Sequence, residues 1–197
     1  MCQLLESIKI KDNKIYNIEY HNQRLNESRK ILFNSNDFID LKDFIRTDGH
    51  LNGLFKCRII CSEEIEQITC EPYTMRKISN LKIIYDDKID YTHKTLDKDK
   101  FKKLLDMKEN HDEILIVKNG LITDTSFSNV LFFDGTKYFT PANPLLKGTK
   151  REKLLNEGLI FEEEIRVEHL KHFKFIQFIN AMIDIEDNLK ISIENIA

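Results

Sequence analysis

The stretch Gly120-Leu-Ile-Thr-Asp124-Thr-Ser-Phe-Ser-Asn129-Val130 decides how this sequence is interpreted. It follows an apolar run at 113–117 and the pair Asn119-Gly120, which is typical of a tight β-hairpin turn. A second strand would normally continue with apolar residues, but here short polar side chains crowd together. Because buried polar atoms need hydrogen-bond partners, the segment is either an exposed loop or a built polar site. The local pattern alone favours the loop.

Composition limits the classes of protein that the chain can belong to. Its 197 residues suffice for one domain or two small ones with a buried core. A net charge of -3 argues against general nucleic-acid binding, because phosphate binding needs a basic surplus. There is no apolar run of about 18 residues that could span a membrane, and the first residues do not resemble a signal peptide. We therefore expect a cytoplasmic protein with neither a nucleic-acid nor a membrane partner.

The four cysteines Cys2, Cys57, Cys61 and Cys70 do not predict a metal site, because no C-x-x-C pair is present. Cys57 and Cys61 lie four residues apart on one face of a predicted strand, which is too far for a disulfide. We expect free, buried thiols.

The periodicity of the whole chain predicts a mixed α/β fold. Strands are expected at 3–10, 15–18, 54–61, 65–71, 81–85, 113–117, 130–133, 137–140, 160–167, 173–182 and 189–193. Helices are expected from Glu19 onward and at 37–46, 99–107, 152–157 and 168–172. Pro72 and the mixed stretch up to Asn80 form the best candidate boundary. We expect a small N-terminal lobe at 1–78 and a larger C-terminal lobe at 79–197.

Two cationic side chains could carry chemistry, although each also has an ordinary explanation. Arg24, on the first predicted helix, could bind a phosphate through its planar guanidinium, but most arginines on helices are solvated charges. Lys94 could act as a nucleophile if burial or a nearby cation favoured its neutral form. Most lysines in so lysine-rich a chain are surface charges.

The second half of the chain offers an acid and a helix start. Asp124, held among hydroxyls and Asn129, would be well hydrogen-bonded and ionised, and could stabilise a protonated heterocyclic nitrogen. Gly148-Thr149-Lys150-Arg151 opens a predicted helix, whose N-terminus could hold a phosphate. This is not a P-loop, because G-x-x-x-x-G-K-[ST] is absent.

In their order along the chain, these residues resemble the motifs of the class IV aminotransferases. These are pyridoxal phosphate (PLP) enzymes that include D-amino-acid and branched-chain aminotransferases and aminodeoxychorismate lyase. Leu5-Glu6-Ser7-Ile8 is similar to the family's F-E-T-I strand, and His21-x-x-Arg24-Leu25-x-x-Ser28 is similar to its H-x-x-R-L-x-x-S helix. His93-Lys94-Thr95 stands where the family has its Schiff-base lysine.

The resemblance continues through the second half of the chain. Gly120-x-Ile122-Thr-Asp124-x-Ser-x-x-Asn129 resembles G-x-I-x-E-x-x-x-x-N, and Thr140-Pro141 resembles T-P. Leu145-Leu-x-Gly148-x-x-Arg151 resembles I-L-x-G-I-T-R, and Phe178-Ile-Asn180-Ala-Met182 resembles a late strand of the family. Because the match covers nearly the whole chain in the right order, it is more specific than any single motif.

The resemblance implies a two-lobed D-amino-acid-aminotransferase-like fold, with PLP in the cleft between the lobes and a homodimeric assembly. Lys94, on the larger lobe, would be the Schiff-base lysine and general acid/base. Asp124 would pair with the pyridine nitrogen. Arg24 would contact the cofactor phosphate, and Thr149 and Lys150 would hold it at the helix N-terminus.

Three departures from the family pattern bear on activity. Asp124 replaces a glutamate, Lys150 replaces a threonine, and the Y-G-x-G segment that precedes the family's F-E-T-I strand has no counterpart. The small size and the His-Lys-Thr setting favour 4-amino-4-deoxychorismate lyase, a step of folate biosynthesis that yields 4-aminobenzoate and pyruvate. The alternatives are a branched-chain or D-amino-acid aminotransferase and a non-catalytic PLP-binding or ligand-binding descendant. Retention of Lys94 favours an enzyme.

Overall fold

The computed structural model describes residues 2–47, 49 and 51–197, and it confirms the mixed α/β fold. The chain divides into two units. The first comprises the described residues up to Met75 together with His93–Asp97, and the second comprises Arg76–Thr92 and Lys98–Ala197. The first division falls inside the predicted boundary region at 72–80. The sequence had suggested that Lys94 belongs to the larger C-terminal lobe. In the structure, residues His93–Asp97 belong to the first unit, so Lys94 is grouped with the N-terminal residues.

The first unit is built on one antiparallel sheet and one long helix. Its elements are β1 (Leu4–Lys11), β2 (Lys14–Ile15), α1 (Ile18–Phe33), β3 (Leu54–Cys61) and β4 (Ile65–Pro72), with a short 3-10 helix at Leu41–Asp43. The strand order is β2-β1-β3-β4. Ile8, Leu25 and Ile59 belong to its buried core, which lies between the sheet and α1. All four cysteines are free, as expected, but only Cys57 and Cys61 are buried; Cys2 is exposed and Cys70 half-buried.

The helix predicted at 37–46 is wrong, because only the 3-10 turn Leu41–Asp43 forms there. Side chains of α1 take the hydrogen bonds that a helix would need. The backbone N–H of Ile39 donates to Asn26 Oδ1 at 2.9 Å, and that of Leu41 donates to Asn22 Oδ1 at 2.9 Å. The segment is therefore held extended against α1, because these side-chain acceptors, 13 and 19 residues away in the sequence, bind its backbone N–H groups.

The second unit contains two sheets and two short helices. Its elements are β5 (Leu81–Tyr85), α2 (Asp99–Leu105), β6 (Glu113–Lys118), β7 (Leu121–Ile122), β8 (Asn129–Phe133), β9 (Tyr138–Pro141), α3 (Thr149–Asn156), β10 (Phe161–Glu163), β11 (Phe175–Ile179) and β12 (Lys190–Ser192). Short 3-10 helices occupy Val167–His172, Ile185–Asp187 and Ile193–Asn195. One sheet has the order β5-β6-β7 and the other β10-β9-β8-β11-β12.

One prediction for this unit, the hairpin at Asn119-Gly120, is correct, and another, the length of the strand at 173–182, is not. The Asn119-Gly120 hairpin is confirmed: β6 pairs with β7, and φ is 52° at Asn119 and 76° at Gly120. The strand predicted at 173–182 ends earlier, at Ile179. Asn180 Oδ1 accepts the backbone N–H groups of Met182 at 2.8 Å and Ile183 at 3.1 Å, which turns the chain. Among the helices of the described residues, none is long and apolar enough to cross a membrane.

Candidate active site

The polar segment after the hairpin is buried, so the exposed-loop interpretation is wrong. The buried members are Thr123, Asp124, Thr125, Ser128 and Asn129. The main chain continues to pair with β6, because Thr123 N donates to Ile116 O and Ile116 N donates to Asp124 O, both at 2.9 Å. Thr125 Oγ1 lies 2.8 Å from Ser128 Oγ, which closes the turn that follows. Thr123 Oγ1 donates to Ile116 O at 3.0 Å, so these hydroxyl groups have partners other than the Asp124 carboxylate.

Asp124 is a buried carboxylate held by two donors. Asn129 Nδ2 donates to its Oδ1 at 2.8 Å, and the backbone N–H of Leu146 donates to its Oδ2 at 2.9 Å. Burial raises the pKa of Asp124 to about 6, and these hydrogen bonds together with the Arg151 charge limit the rise. The hydrogen bonding predicted from the sequence is confirmed. Burial raises the pKa of Asp124 by more than the hydrogen bonds lower it, although the carboxyl is still mostly ionised at neutral pH.

Gly148 supports this carboxylate through Asn129. A Cβ at residue 148 would lie 2.0 Å from Asn129 Oδ1, so only glycine leaves space for the amide. The same Asn129 Nδ2 also donates to Leu146 O at 2.8 Å. Gly148, at the start of the predicted helix, therefore leaves room for the amide that donates a hydrogen bond to Asp124.

Helix α3 begins at Thr149 and buries its first three residues, Thr149, Lys150 and Arg151. Lys150 Nζ forms an ion pair with Asp184. Arg151 Nη2 donates to Pro141 O at 2.9 Å and to Glu162 Oε1 at 2.6 Å. Lys150 is therefore a buried, paired cation beside a helix N-terminus. Its contact with a phosphate, like that of Thr149, stays a prediction.

In the first unit, the Glu6 carboxylate binds two side chains of α1, those of Arg24 and His21. Arg24 Nε donates to Glu6 Oε1 at 2.9 Å, and Arg24 Nη2 donates to Glu6 Oε2 at 2.5 Å. His21 Nδ1 lies 2.6 Å from Glu6 Oε2. The Arg24 side chain is only 15% exposed, so it is not the solvated helix charge that the sequence allowed. His21 and Arg24 meet one carboxylate because residues three apart share a helix face.

The charges of this group are well defined. Burial opposes ionisation of Glu6, but Arg24 and His21 outweigh it and lower the pKa of Glu6 to about 2. Burial lowers the pKa of His21; Glu6 opposes this, while the nearby charges of Arg24 and Lys94 reinforce it. His21 is therefore neutral at pH 7 and donates its Nδ1–H to the carboxylate. Glu6 and Arg24 form an internally balanced pair close to Lys94.

Lys94 is held by its main chain to the strand that carries Glu6. Leu5 N donates to Lys94 O at 2.8 Å, and Leu96 N donates to Gln3 O at 2.8 Å. His93 Nδ1 lies 3.1 Å from Ser28 Oγ of α1. Two elements thus fix the segment on either side of Lys94. In the first unit Lys94 and Arg24 both lie near His21. In the second unit Asn129 links Asp124 to Gly148, directly before Thr149 and Lys150.

Two partners in these clusters had no role in the sequence analysis. Glu6 was noted only as part of a motif, and Asp184 was not noted. The signal for Glu6 was available, because an acid among the apolar residues of β1 must find a partner, and His21 and Arg24 share one helix face. Asp184 lies 34 residues after Lys150, and no local pattern connects the two.

Residues 3–186 match the profile of the family Amino-transferase class IV, and the chain belongs to this family. The family is PLP-dependent, and solved structures of the D-amino-acid-aminotransferase-like type share the fold described above. The resemblance found in the sequence is thereby confirmed.

Three known proteins are similar to this chain. An uncharacterised protein of Haemophilus influenzae is 36% identical over 185 residues, covering 92% of this chain and 98% of that protein. A candidate 4-amino-4-deoxychorismate lyase from Haemophilus somnus is 34% identical with a TM-score of 0.87, covering 92% of this chain and 97% of that one. A PLP-bound hypothetical aminotransferase from Mycobacterium tuberculosis is 17% identical with a TM-score of 0.76, covering 98% of this chain and 81% of that one, and shows the fold alone.

The residues present fit the chemistry that PLP requires of a protein. A buried carboxylate such as Asp124 suits a protonated ring nitrogen, and the Arg24 guanidinium and the start of α3 suit a phosphate. Gly148 leaves the space that the Asp124–Asn129 support needs. Lys94 would supply the amine.

Proposed function

We propose that this protein is a PLP-dependent enzyme that acts on a substrate bearing an amino group, and that it is a 4-amino-4-deoxychorismate lyase. The observation that carries the enzyme proposal is the buried Asp124, which Asn129 and Leu146 N hold by two hydrogen bonds. Burying a carboxylate is costly even with such partners, and a buried acid with a raised pKa is more typical of a ligand site than of an ordinary core. The 34% identity to the Haemophilus somnus protein, over 97% of its length, supports the lyase assignment.

PLP, when bound, supplies an aldehyde that captures an amine and a ring that absorbs negative charge. Asp124 would hold a proton on the ring nitrogen, and its side chain is kept in place by Asn129 and by the main chain at Leu146. Arg24, Thr149 and Lys150 would bind the phosphate. Each of these assignments uses a group that the fold already buries or orients.

Lys94 would move the protons. Its Nζ would remove the proton from the carbon that bears the substrate amino group and return a proton to the departing three-carbon fragment. Substrate and products then balance, because 4-amino-4-deoxychorismate divides into 4-aminobenzoate and pyruvate without any further reactant. The hydrogen bond from Leu5 N to Lys94 O fixes the main chain that carries this side chain.

An amino-acid aminotransferase is the second candidate. A candidate amino-acid aminotransferase from Mesorhizobium loti has a TM-score of 0.76, but at 20% identity that likeness shows the fold alone. A non-catalytic PLP-binding or ligand-binding descendant is the third candidate. A cytoplasmic location, a homodimeric assembly and a place in folate biosynthesis accompany the proposal as predictions.

The cofactor is tested by the visible spectrum of the purified protein with added PLP. We expect an absorbance band near the visible range that is lost in Lys94→Ala, and borohydride should attach the cofactor to the peptide containing Lys94. Lys98→Ala is the matched control, because burial lowers the pKa of Lys98 to about 8 and makes it prone to adventitious labelling. Labelling of Lys98 in place of Lys94, or no band at all, would remove the enzyme proposal.

The reaction is tested with 4-amino-4-deoxychorismate as the sole substrate. Lyase activity predicts equal amounts of 4-aminobenzoate, measured by fluorescence, and pyruvate, measured with a coupled dehydrogenase. An aminotransferase would instead require a 2-oxo acid acceptor and would release no 4-aminobenzoate. A bound cofactor with neither reaction would favour the non-catalytic descendant.

A further inference from the structure

Glu6 is buried and uses both carboxylate oxygens on two side chains of α1. Arg24 takes both oxygens in a fork, and His21 shares Oε2. A two-point contact fixes the plane of a guanidinium as well as its position, which a single contact does not. Arg24, the predicted phosphate contact, is therefore oriented by a residue to which no role has been assigned.

The strand that carries Glu6 also carries the tether of Lys94. Leu5, the neighbour of Glu6, donates its N–H to Lys94 O at 2.8 Å. Leu4 and Thr95 form an isolated antiparallel bridge alongside it. One short piece of β1 thus fixes the main chain at Lys94 and the side chain of Arg24.

The charge of Glu6 matters separately from its geometry. His21 is neutral at pH 7, so Glu6 offsets the positive charge of Arg24. Lys94 lies close enough to His21 for its charge to lower the pKa of that ring. Loss of the carboxylate would leave the Arg24 charge unbalanced in the neighbourhood of the Lys94 amine, and this would favour the neutral amine.

We propose that Glu6 is a positioning residue of the candidate PLP site, which orients Arg24 toward a phosphate monoester and sets the charge around Lys94 without contacting the cofactor itself. The phosphate part of this proposal rests on the proposed function. The part concerning Lys94 concerns the protein alone and is tested without any cofactor.

The phosphate part is tested by comparing the binding of PLP and pyridoxal, which lacks the phosphate. We expect Glu6→Gln to weaken PLP binding about tenfold, the size of one lost charge-assisted hydrogen bond, and pyridoxal binding by less than about threefold. In an Arg24→Lys background, Glu6→Gln should add little further loss, because the fork that it orients is already gone. Glu66→Gln is the matched control, since Glu66 is an exposed glutamate that accepts from Gln3 on the same unit.

The charge part is tested on the protein without cofactor. The rate at which an amine-specific reagent labels Lys94, read by peptide mass spectrometry at a fixed neutral pH, should rise at least about threefold in Glu6→Gln. Labelling of Lys30 serves as the internal reference for reagent strength. Circular dichroism is used to check that Glu6→Gln is folded. If it is unfolded, Glu6→Asp replaces it: this variant keeps the charge on a shorter side chain, so it should label Lys94 as slowly as the wild type but bind PLP more weakly.

The outcomes separate this proposal from the proposed function. Wild-type protein that binds neither PLP nor pyridoxal would overturn the proposed function, while the labelling rates would still decide the role of Glu6. Equal losses for the two ligands, or a full additional loss in the Arg24→Lys background, would overturn the positioning role. An unchanged labelling rate at Lys94 would overturn the role in setting charge.

Discussion

Gly148 lies so close to Asn129 that a methyl group on its Cα would stand 2.0 Å from Asn129 Oδ1. The backbone at Gly148 has a φ of -73°, so any residue could adopt it, and space alone requires glycine. Because Asn129 Nδ2 also donates to Asp124, the contact joins a helix start to the acid of the candidate site.

Gly148→Ala should therefore displace Asn129 and weaken its hydrogen bond to Asp124, while leaving the helix itself intact. We expect a loss of about 1–3 kcal/mol in the free energy of unfolding, the cost of leaving a buried polar group without its partner, together with weaker PLP binding. Chemical denaturation measures the first effect and absorbance titration the second. In Asn129→Ala the clash is absent, so adding Gly148→Ala should cost little more; a fully additive double variant would contradict this explanation.

Asp124 should make the stability of the cofactor-free protein depend on pH. Its pKa is raised from an ordinary 3.8 to about 6, so the folded state holds the proton more tightly than the unfolded chain. Stability from this group is present below about pH 4 and falls by about 3 kcal/mol as the pH rises through 6. Denaturation between pH 4 and 7.5 should show this fall in the wild type and not in Asp124→Asn. The exposed Asp106→Asn is the control, and parallel profiles for wild type and Asp124→Asn would contradict the prediction.

The strands at 54–61 and 81–85 match the structure in both bounds, because their apolar patterns are strong and nothing local competes with them. The helix predicted at 37–46 failed because Asn22 and Asn26, which lie more than ten residues earlier, hold its backbone extended. The same limit applies to the site. The ordered motifs identified Lys94 and Asp124, but the Glu6–Arg24 fork and the Lys150–Asp184 pair join residues that only the folded chain brings together.

Arg29 should be a sensitive structural residue of α1 outside the candidate site. It is 1% exposed, and its guanidinium donates to the main-chain oxygens of Asp37 at 2.9 Å and Glu63 at 2.5 Å. Arg29→Met leaves both carbonyls without this donor, and we expect a loss of about 2–4 kcal/mol in the free energy of unfolding. Lys30→Met, at the adjacent exposed position, should change stability by less than about 0.5 kcal/mol. Similar losses in the two variants would contradict the assignment.

Lys150 and Asp184 allow the role of the helix N-terminus in phosphate binding to be separated from that of the lysine. Lys150→Met removes the cation, and we expect it to weaken PLP binding about tenfold with little effect on pyridoxal, because only PLP carries a phosphate. Asp184→Asn keeps the cation and removes a nearby negative charge, so it should leave PLP binding unchanged or tighter. Lys153→Met controls for the general loss of positive charge, because Lys153 is a half-buried lysine of α3 that pairs with Glu157. If Lys150→Met and Asp184→Asn weaken PLP and pyridoxal equally, the ion pair acts only through stability, and the start of α3 holds the phosphate by its backbone N–H groups alone.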